Sequence, residues 1–367
     1  MTSMKRNKMK KILITGVAGL IGSHLLDELL KMDYQVVGVD NLSFGKIENI
    51  QTHLQNDRFT FHIGDILDLE MMEKLCIGVN TIVHLACVKK VSESASCMAT
   101  LKVIGQGTDN ILEIAKRFGC KVVLASTSDV YGMSSDLPFK EEGNLLLGPS
   151  NIKRWGYATA KLYSEQLAFT YYKDYAVPVV VLRYFGGFSA RSCTLWSGGH
   201  IPIFIDAILK NEEIVIHGDG KQTRSMCYVD DLVKGTILAM KNENVVGEVI
   251  NIGSDEEMSI LDTAILIHQI ADTEKKLKLK FVPMAEVFGD YKEVSRRKPD
   301  LSKARSLLGY TQTVSLEDGL RKTIAGYKAH IESLKVNFFQ PAATTYETDV
   351  RSIIEIQNRL QKRQCLN

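Results

Sequence analysis

The sequence predicts an α/β protein: a Rossmann-like, doubly wound parallel sheet carrying a smaller α/β substrate-binding lobe. Three observations predict it. Short β-branched runs alternate with helical patterns through the first half of the 367-residue chain. Those runs are apolar on both faces, as strands covered by helices on both sides must be. A glycine triplet, Gly16-x-x-Gly19-x-x-Gly22, separates the first run from the first helical pattern.

The elements follow in order. Residues 11–15 read as a strand, 22–30 as an amphipathic helix and 35–40 as a second strand. Further strands are expected at 58–63, 81–85, 121–125 and 178–183, with a helix over 107–118. After Phe188 the texture changes. Residues 189–199 form a polar, glycine-rich loop, 201–210 a helix, and Val229-Asp230-Asp231 leads into a helix from Leu232. Residues 254–309 read as mixed elements. The chain therefore divides into a dinucleotide-binding domain over 1–187, to which segments around 224–252 return, and a second lobe over 188–330. An extension over 331–367 gains helical periodicity from about Asp349, with Ile353, Ile354, Ile356 and Leu360.

Composition narrows the function. The chain is 45% hydrophobic and 24% charged with a formal net charge of +2, so no electrostatic case exists for nucleic acid or a membrane surface. The apolar run after the basic start is too short to span a bilayer. Seven cysteines are scattered, odd in number and without a CxxC. They predict reduced thiols, a cytoplasmic location and no metal site.

The triplet has a physical reading. Gly16 permits a tight turn, Gly19 lets backbone approach a pyrophosphate, and Gly22 lets helix and strand pack closely. The helix then presents the amides of Leu20, Ile21 and Gly22 to an anion. Asp40, followed by Asn41, closes the second strand, where a carboxylate accepts from an adenosine ribose hydroxyl and repels a 2′-phosphate. That selects NAD as cofactor. Asp65 and Ile66 follow the third strand, and the Asp65 carboxylate suits an adenine amine. Leu85 and Ala86 end the fourth, on the side where open α/β sheets bind ligands. His84 reads as a packed strand residue. Ser126, Thr127, Ser128 and Asp129 end the fifth strand, offering hydroxyls and a carboxylate. Tyr157 and Lys161 lie four apart, on one face of a helix. An ammonium beside a phenol is expected to favour the phenolate, giving a base for a sugar hydroxyl.

The order of these motifs resembles the extended short-chain dehydrogenase/reductase family. More narrowly it is similar to the NAD-dependent nucleotide-sugar epimerases, dehydratases and decarboxylases. Arg183-Tyr184-Phe185, Gly218-Asp219-Gly220-Lys221-Gln222-Thr223-Arg224, Tyr228-Val229-Asp230-Asp231 and Arg297-Lys298-Pro299 agree. The resemblance covers roughly residues 12–327. It implies that Tyr157 deprotonates a sugar 4-hydroxyl as the C4 hydride passes to NAD⁺, with Lys161 assisting and Thr127 hydrogen-bonding O4. Ser128 and Gly186 would face the substrate, and Arg224 and Arg297 would pair with its charge, most readily a UDP diphosphate. The resemblance also implies a homodimer joined through the helix that bears Tyr157.

Three outcomes share that first oxidation. The loop from Lys89 to Ser94 resembles UDP-hexose 4-epimerases, with Lys89 near the cofactor phosphates, and it ranks 4-epimerase first. Thr127-Ser128-Asp129 instead resembles the Thr-Ser-Glu of uronate decarboxylases and some 4,6-dehydratases, with an acid one methylene shorter. A different class of reading is a non-catalytic NAD-binding sensor. Two departures stand out. Gly186 replaces the family's usual asparagine, and residues 192–200, including Trp196, form an unusual insert.

Overall fold

Seven parallel strands form the central sheet of the computed structural model, which describes residues 9–88, 97–193, 199–288 and 294–337. The first half contains β1 (Lys11–Thr15), α1 (Leu20–Lys31), β2 (Gln35–Asp40), β3 (Phe59–Ile63), α2 (Leu69–Leu75) and β4 (Thr81–His84). It continues with α3 (Cys97–Phe118), β5 (Lys121–Thr127), α4 (Gly156–Tyr175) and β6 (Val179–Tyr184). Then come β7 (Gly187–Phe188), α5 (His200–Lys210), β8 (Ile214–His217), β9 (Thr223–Ser225), β10 (Cys227–Tyr228), α6 (Val229–Lys241) and β11 (Val249–Ile252). The chain closes with β12 (Glu257–Ser259), α7 (Ile260–Ala271), β13 (Leu279–Val282), α8 (Met284–Phe288), β14 (Arg296–Arg297), α9 (Ser302–Leu308) and α10 (Leu316–Asn337). The loop with Lys89, Trp196 and the helix expected beyond residue 349 lie outside the described residues.

Successive strand side chains point to opposite faces, and both faces are apolar here. Ile12, Ile14, Val36, Val123, Val180 and Leu182 join one core layer with Leu25, Leu29, Leu232 and Ile237. Leu13, Val37, Ile82, Val122, Leu124 and Val181 join the other with Ile111, Leu112, Ala115 and Ala168. Burying both faces is what continuous β-branched runs do well. The sheet order is β11-β6-β5-β4-β1-β2-β3. The winding reverses between β1 and β4, which opens a crevice at the carboxyl ends of those strands. β11 comes from the second half and pairs with β6, Asn251 against Arg183.

Of the boundaries that differ from the sequence expectation, three have a structural reason. α3 begins at Cys97 rather than 107, because its early turns pack along α4, where Gly105 accommodates the Tyr163 ring. Those turns carry Lys102 and Gln106, so their apolar periodicity is weak. α6 starts at Val229, three residues early, with Asp230 and Asp231 complementing its positive end. β5 runs on through Ser126 and Thr127, which pair with Arg183 and Tyr184 of β6. Near the crevice, a small sheet ordered β12-β9-β14 sets Arg224 in register with Arg297. Among the described residues, no helix is long and apolar enough to cross a membrane, and no cluster of His, Cys, Asp and Glu could hold a metal.

Candidate active site

The crevice is a cleft of about 510 Å³. All the sequence-predicted site residues line it except Lys89, which lies outside the described residues. Gly16 has a φ of +74°, and a Cβ there would stand 2.9 Å from the Ala86 amide nitrogen. A Cβ at Gly22 would stand 2.3 Å from the Gly16 carbonyl oxygen, so both positions exclude a side chain. Leu20 and Ile21 open α1 at the cleft wall, and Gly19 precedes them in extended conformation. This cradle fits a pyrophosphate on a helix N-terminus.

Asp40 is buried at the far end. Its Oδ2 accepts from the Ala18 amide at 3.0 Å and its Oδ1 from the Leu42 amide at 2.8 Å. Burial pushes this carboxyl up to about 6, against the pull of those two amides. A buried carboxylate with remaining lone pairs suits neutral hydroxyl donors and disfavours a second anion. Asn41 donates to Asp65 Oδ2 at 3.0 Å, and Asp65 Oδ1 accepts from the Leu67 amide at 3.0 Å. Asn110 fixes the same turn by donating to the Ile66 carbonyl at 3.0 Å. His84 is fully enclosed, with Nδ1 at 2.7 Å from Thr15 Oγ1, and burial lowers it to about 3. It is a neutral strand residue, as expected.

Tyr157 and Lys161 share the inner face of α4, both buried. Their electrostatics correct the sequence expectation. Lys161 Nζ donates to the Ala125 carbonyl at 2.8 Å, and the Tyr157 phenol is pushed well above its ordinary range. Burial is the largest cause, followed by the Cys87 thiol and the Asp129 carboxylate. A hydrogen bond with the Thr127 side chain works in the opposite direction. Desolvation dominates here, because the phenolate is penalised by the whole low-dielectric wall. The Cys87 contact was invisible in the sequence.

Beside the phenol lies a charged cluster assembled from three distant segments. Asp129 follows β5 in a short 3₁₀ turn started by Thr127, whose Oγ1 accepts from the Asp129 amide at 3.2 Å. Arg154, just before α4, donates to Asp129 Oδ1 at 3.2 Å. Arg297, on β14, donates to the same oxygen at 2.5 Å. Arg297 was expected to meet substrate charge; the structure shows it bound to Asp129. Two guanidiniums favour the ionised carboxylate.

A second network lies beneath. Ser126 donates to Glu165 in a short hydrogen bond. Arg183 forks onto Glu165, Nε to Oε1 at 3.0 Å and Nη2 to Oε2 at 2.7 Å, and its Nη1 reaches Tyr131 Oη at 3.0 Å. Tyr131 donates to Asn251 Oδ1 at 2.7 Å and stacks on Phe139 with centroids 4.6 Å apart. This floor holds the strand end from which Thr127 and Asp129 project.

On the opposite wall, Arg224 donates to the Thr223 carbonyl at 2.7 Å and lines the cleft with Gly186 and His200. Gly186 has a φ of +50° and its Cβ would meet the Ser225 carbonyl oxygen at 2.6 Å.

A family model described as GDP-mannose 4,6 dehydratase matches residues 13–323. The chain is 38% identical over 325 residues to a UDP-N-acetyl-alpha-D-glucosaminuronate decarboxylase of Bacillus cytotoxicus, covering 87% of this chain and 98% of that protein. It is 36% identical over 336 residues to UDP-glucuronic acid decarboxylase 1 of Xenopus tropicalis, covering 90% and 75%. Among solved structures, a UDP-glucuronic acid 4-epimerase from Bacillus cereus, in complex with UDP-glucuronic acid and NAD, superposes with a TM-score of 0.78 at 35% identity. That match covers 87% of this chain and 99% of that one.

Proposed function

The chain belongs to the GDP-mannose 4,6-dehydratase family of nucleotide-sugar enzymes, and within it we propose that the protein is an NAD⁺-dependent UDP-hexuronate decarboxylase. This reading reverses the order suggested by the sequence, which put 4-epimerase first. The observation that carries it is Asp129 held between Arg154 and Arg297 beside Thr127 and Tyr157. Decarboxylase relatives at 38% and 36% identity support it.

NAD⁺, seated on the Gly16–Gly22 cradle with its adenosine ribose at Asp40, would accept the C4 hydride and later return it. The chain's own residues do the rest. Thr127 and Tyr157 meet the sugar 4-hydroxyl, and Tyr157 takes its proton as the phenolate, a form that the positive charge of bound NAD⁺ would favour against the cost of burial. Lys161 keeps a cation one turn behind the phenol. The resulting 4-ketone is β to the C6 carboxylate, so the C5–C6 bonding pair flows toward the carbonyl as carbon dioxide departs; the enolate then takes a proton at C5 from water, and Tyr157 returns its proton to O4 when the hydride comes back to C4. Arg154 and Arg297 orient that carboxylate. Asp129 shares the same guanidiniums and moderates their charge. An unshared double clamp would stabilise the ground-state carboxylate and oppose its departure.

A 4,6-dehydratase needs an acid to protonate the leaving C6 hydroxyl. Asp129, paired with two guanidiniums, is poorly suited to that. A 4-epimerase of hexuronates is the second reading, favoured by the solved epimerase that binds UDP-glucuronic acid. The exposed Met98 and Leu101 of α3 and Tyr163 of α4 provide an apolar face for pairing two subunits, which sedimentation would test. Incubation with UDP-, dTDP- and GDP-sugars, including UDP-glucuronate and its N-acetylglucosamine counterpart, decides the chemistry. Mass loss equal to carbon dioxide from the UDP-hexuronates alone is expected. An isomer of unchanged mass, or loss of water, overturns the proposal.

A further inference from the structure

Asn251 interrupts the apolar run Val249-Ile250-Asn251-Ile252, and the mechanism leaves it unused. It sits on β11, fully enclosed and behind the residues that line the cleft. A buried carboxamide has two donors and an acceptor to satisfy. Its Oδ1 accepts from Tyr131 Oη at 2.7 Å. Its Nδ2 donates to the Phe139 carbonyl at 2.9 Å and to the Asp300 carbonyl at 3.3 Å. Arg183 Nη1 donates to Tyr131 Oη at 3.0 Å, which turns the tyrosine proton toward Asn251. The floor network thereby fixes which way the carboxamide faces.

The two carbonyls matter because of the segment they belong to. The Phe139 amide donates to the Lys298 carbonyl at 2.8 Å, and the Asp300 amide donates to the Phe139 carbonyl at 2.8 Å. These bonds strap residues 298–300 to the chain that follows β5. Arg297 comes immediately before the strap. On its other side β14 is paired with β9, and Arg296 forks onto Glu257 at 2.9 and 2.7 Å. Arg297 therefore reaches Asp129 from a two-residue strand held at both ends. Asn251 closes the inner end, because its side chain crosses from the floor to the strap.

We propose that Asn251 positions the Arg297 guanidinium in the cleft and so sets the preference for a substrate that carries a carboxylate. The proposal rests on the hexuronate reading above. Asn251 is a positioning residue: it acts through Arg297 and touches no substrate.

The test uses the full chain with NAD⁺ and two probes that differ at C6: UDP-glucuronate, which has a carboxylate, and UDP-glucose, which has a hydroxyl. A Tyr157→Phe background lets UDP-glucuronate bind without turnover. Asn251→Asp keeps the shape and the acceptor for Tyr131 but turns an oxygen toward the Phe139 and Asp300 carbonyls. Calorimetry is expected to show UDP-glucuronate affinity about tenfold weaker and UDP-glucose affinity within about twofold. Added to Arg297→Lys, the same substitution should cost UDP-glucuronate less than about twofold more, because the guanidinium it positions is gone. Equal loss for both probes, no loss for either, or full additivity with Arg297→Lys overturns the proposal. Where Asn251→Asp shows no cooperative melting, Tyr131→Phe is read in the same way. It removes the hydroxyl facing Oδ1, keeps the ring on Phe139, and should cost UDP-glucuronate alone about threefold. Equal loss, or none, again overturns the proposal. Unselective loss in a protein that releases carbon dioxide when Tyr157 is intact rejects the Asn251 role alone. Selective loss in a protein that releases none rejects the decarboxylase reading alone.

Discussion

Two buried carboxylate–guanidinium clusters lie on either side of the same strand end, and they differ in what surrounds them. In the floor, Glu165 and Arg183 satisfy one another in a fork, and Ser126 and Tyr131 take the remaining positions. Glu165 is 2% exposed and Arg183 5%. In the wall, Asp129 gives one oxygen to two arginines, and Arg297 is 15% exposed to the cleft. A closed, fully paired network fixes geometry; removing one member strands a buried charge. A cluster open to a cleft keeps a guanidinium, that of Arg297, where an incoming carboxylate would reach it. Similar residue types thus serve stability in one place and chemistry a few residues away.

Substitutions can break or sharpen that contrast. The largest effect is expected at the phenol between the clusters. Tyr157→Phe should lower kcat by about 10³-fold or more while NAD⁺ binding, followed by fluorescence, persists. Asp129→Asn should cut carbon dioxide release by about 10²-fold with only a small change in denaturant midpoint. Glu165→Gln should do the reverse, costing about 3–5 kcal/mol of stability by urea titration while folded protein keeps its kcat within a few-fold. If the two variants exchange these behaviours, the distinction between floor and wall fails. Arg297→Lys should raise KM for a UDP-hexuronate about tenfold and leave UDP-glucose binding nearly intact, because an ammonium cannot reproduce the planar fork.

The smallest effect is at the cofactor end. The Asp40 carboxyl, raised to about 6 by burial, accepts best when ionised. It is charged above that value and loses its proton-accepting form as pH falls through it. NAD⁺ affinity should therefore weaken a few-fold between about pH 7 and about pH 5. Asp40→Asn should bind NAD⁺ more weakly and abolish that pH dependence.

Much of this was legible because it is local. The alternating β-branched runs, the glycine triplet and Asp40 are near neighbours in the chain, and each states its own backbone requirement. The pairing of Tyr157 with Lys161 on one helix face was equally local, but the phenol's surroundings were not. Cys87 and Asp129 reach it from the segments that follow β4 and β5, and burial reverses the expected direction of its shift. Arg297 meets Asp129 across 168 residues of chain through the small sheet that aligns it with Arg224. No periodicity in the sequence encodes that meeting. Glu165 is one polar residue in a helix whose role appears only when Arg183 of β6 folds against it. The insert before α5 carries no periodicity or motif of its own, and the structure places its last residue, His200, on the cleft wall.

The central claim is that the Asp129–Arg154–Arg297 wall serves the loss of a carboxylate. The most direct measurement is carbon-13 NMR of the reaction with UDP-glucuronate labelled at C6, in the presence of catalytic NAD⁺. The account predicts that the label leaves as carbon dioxide and bicarbonate and that a UDP-pentose accumulates without net NADH. Retention of the label in a UDP-hexuronate inverted at C4 would contradict it.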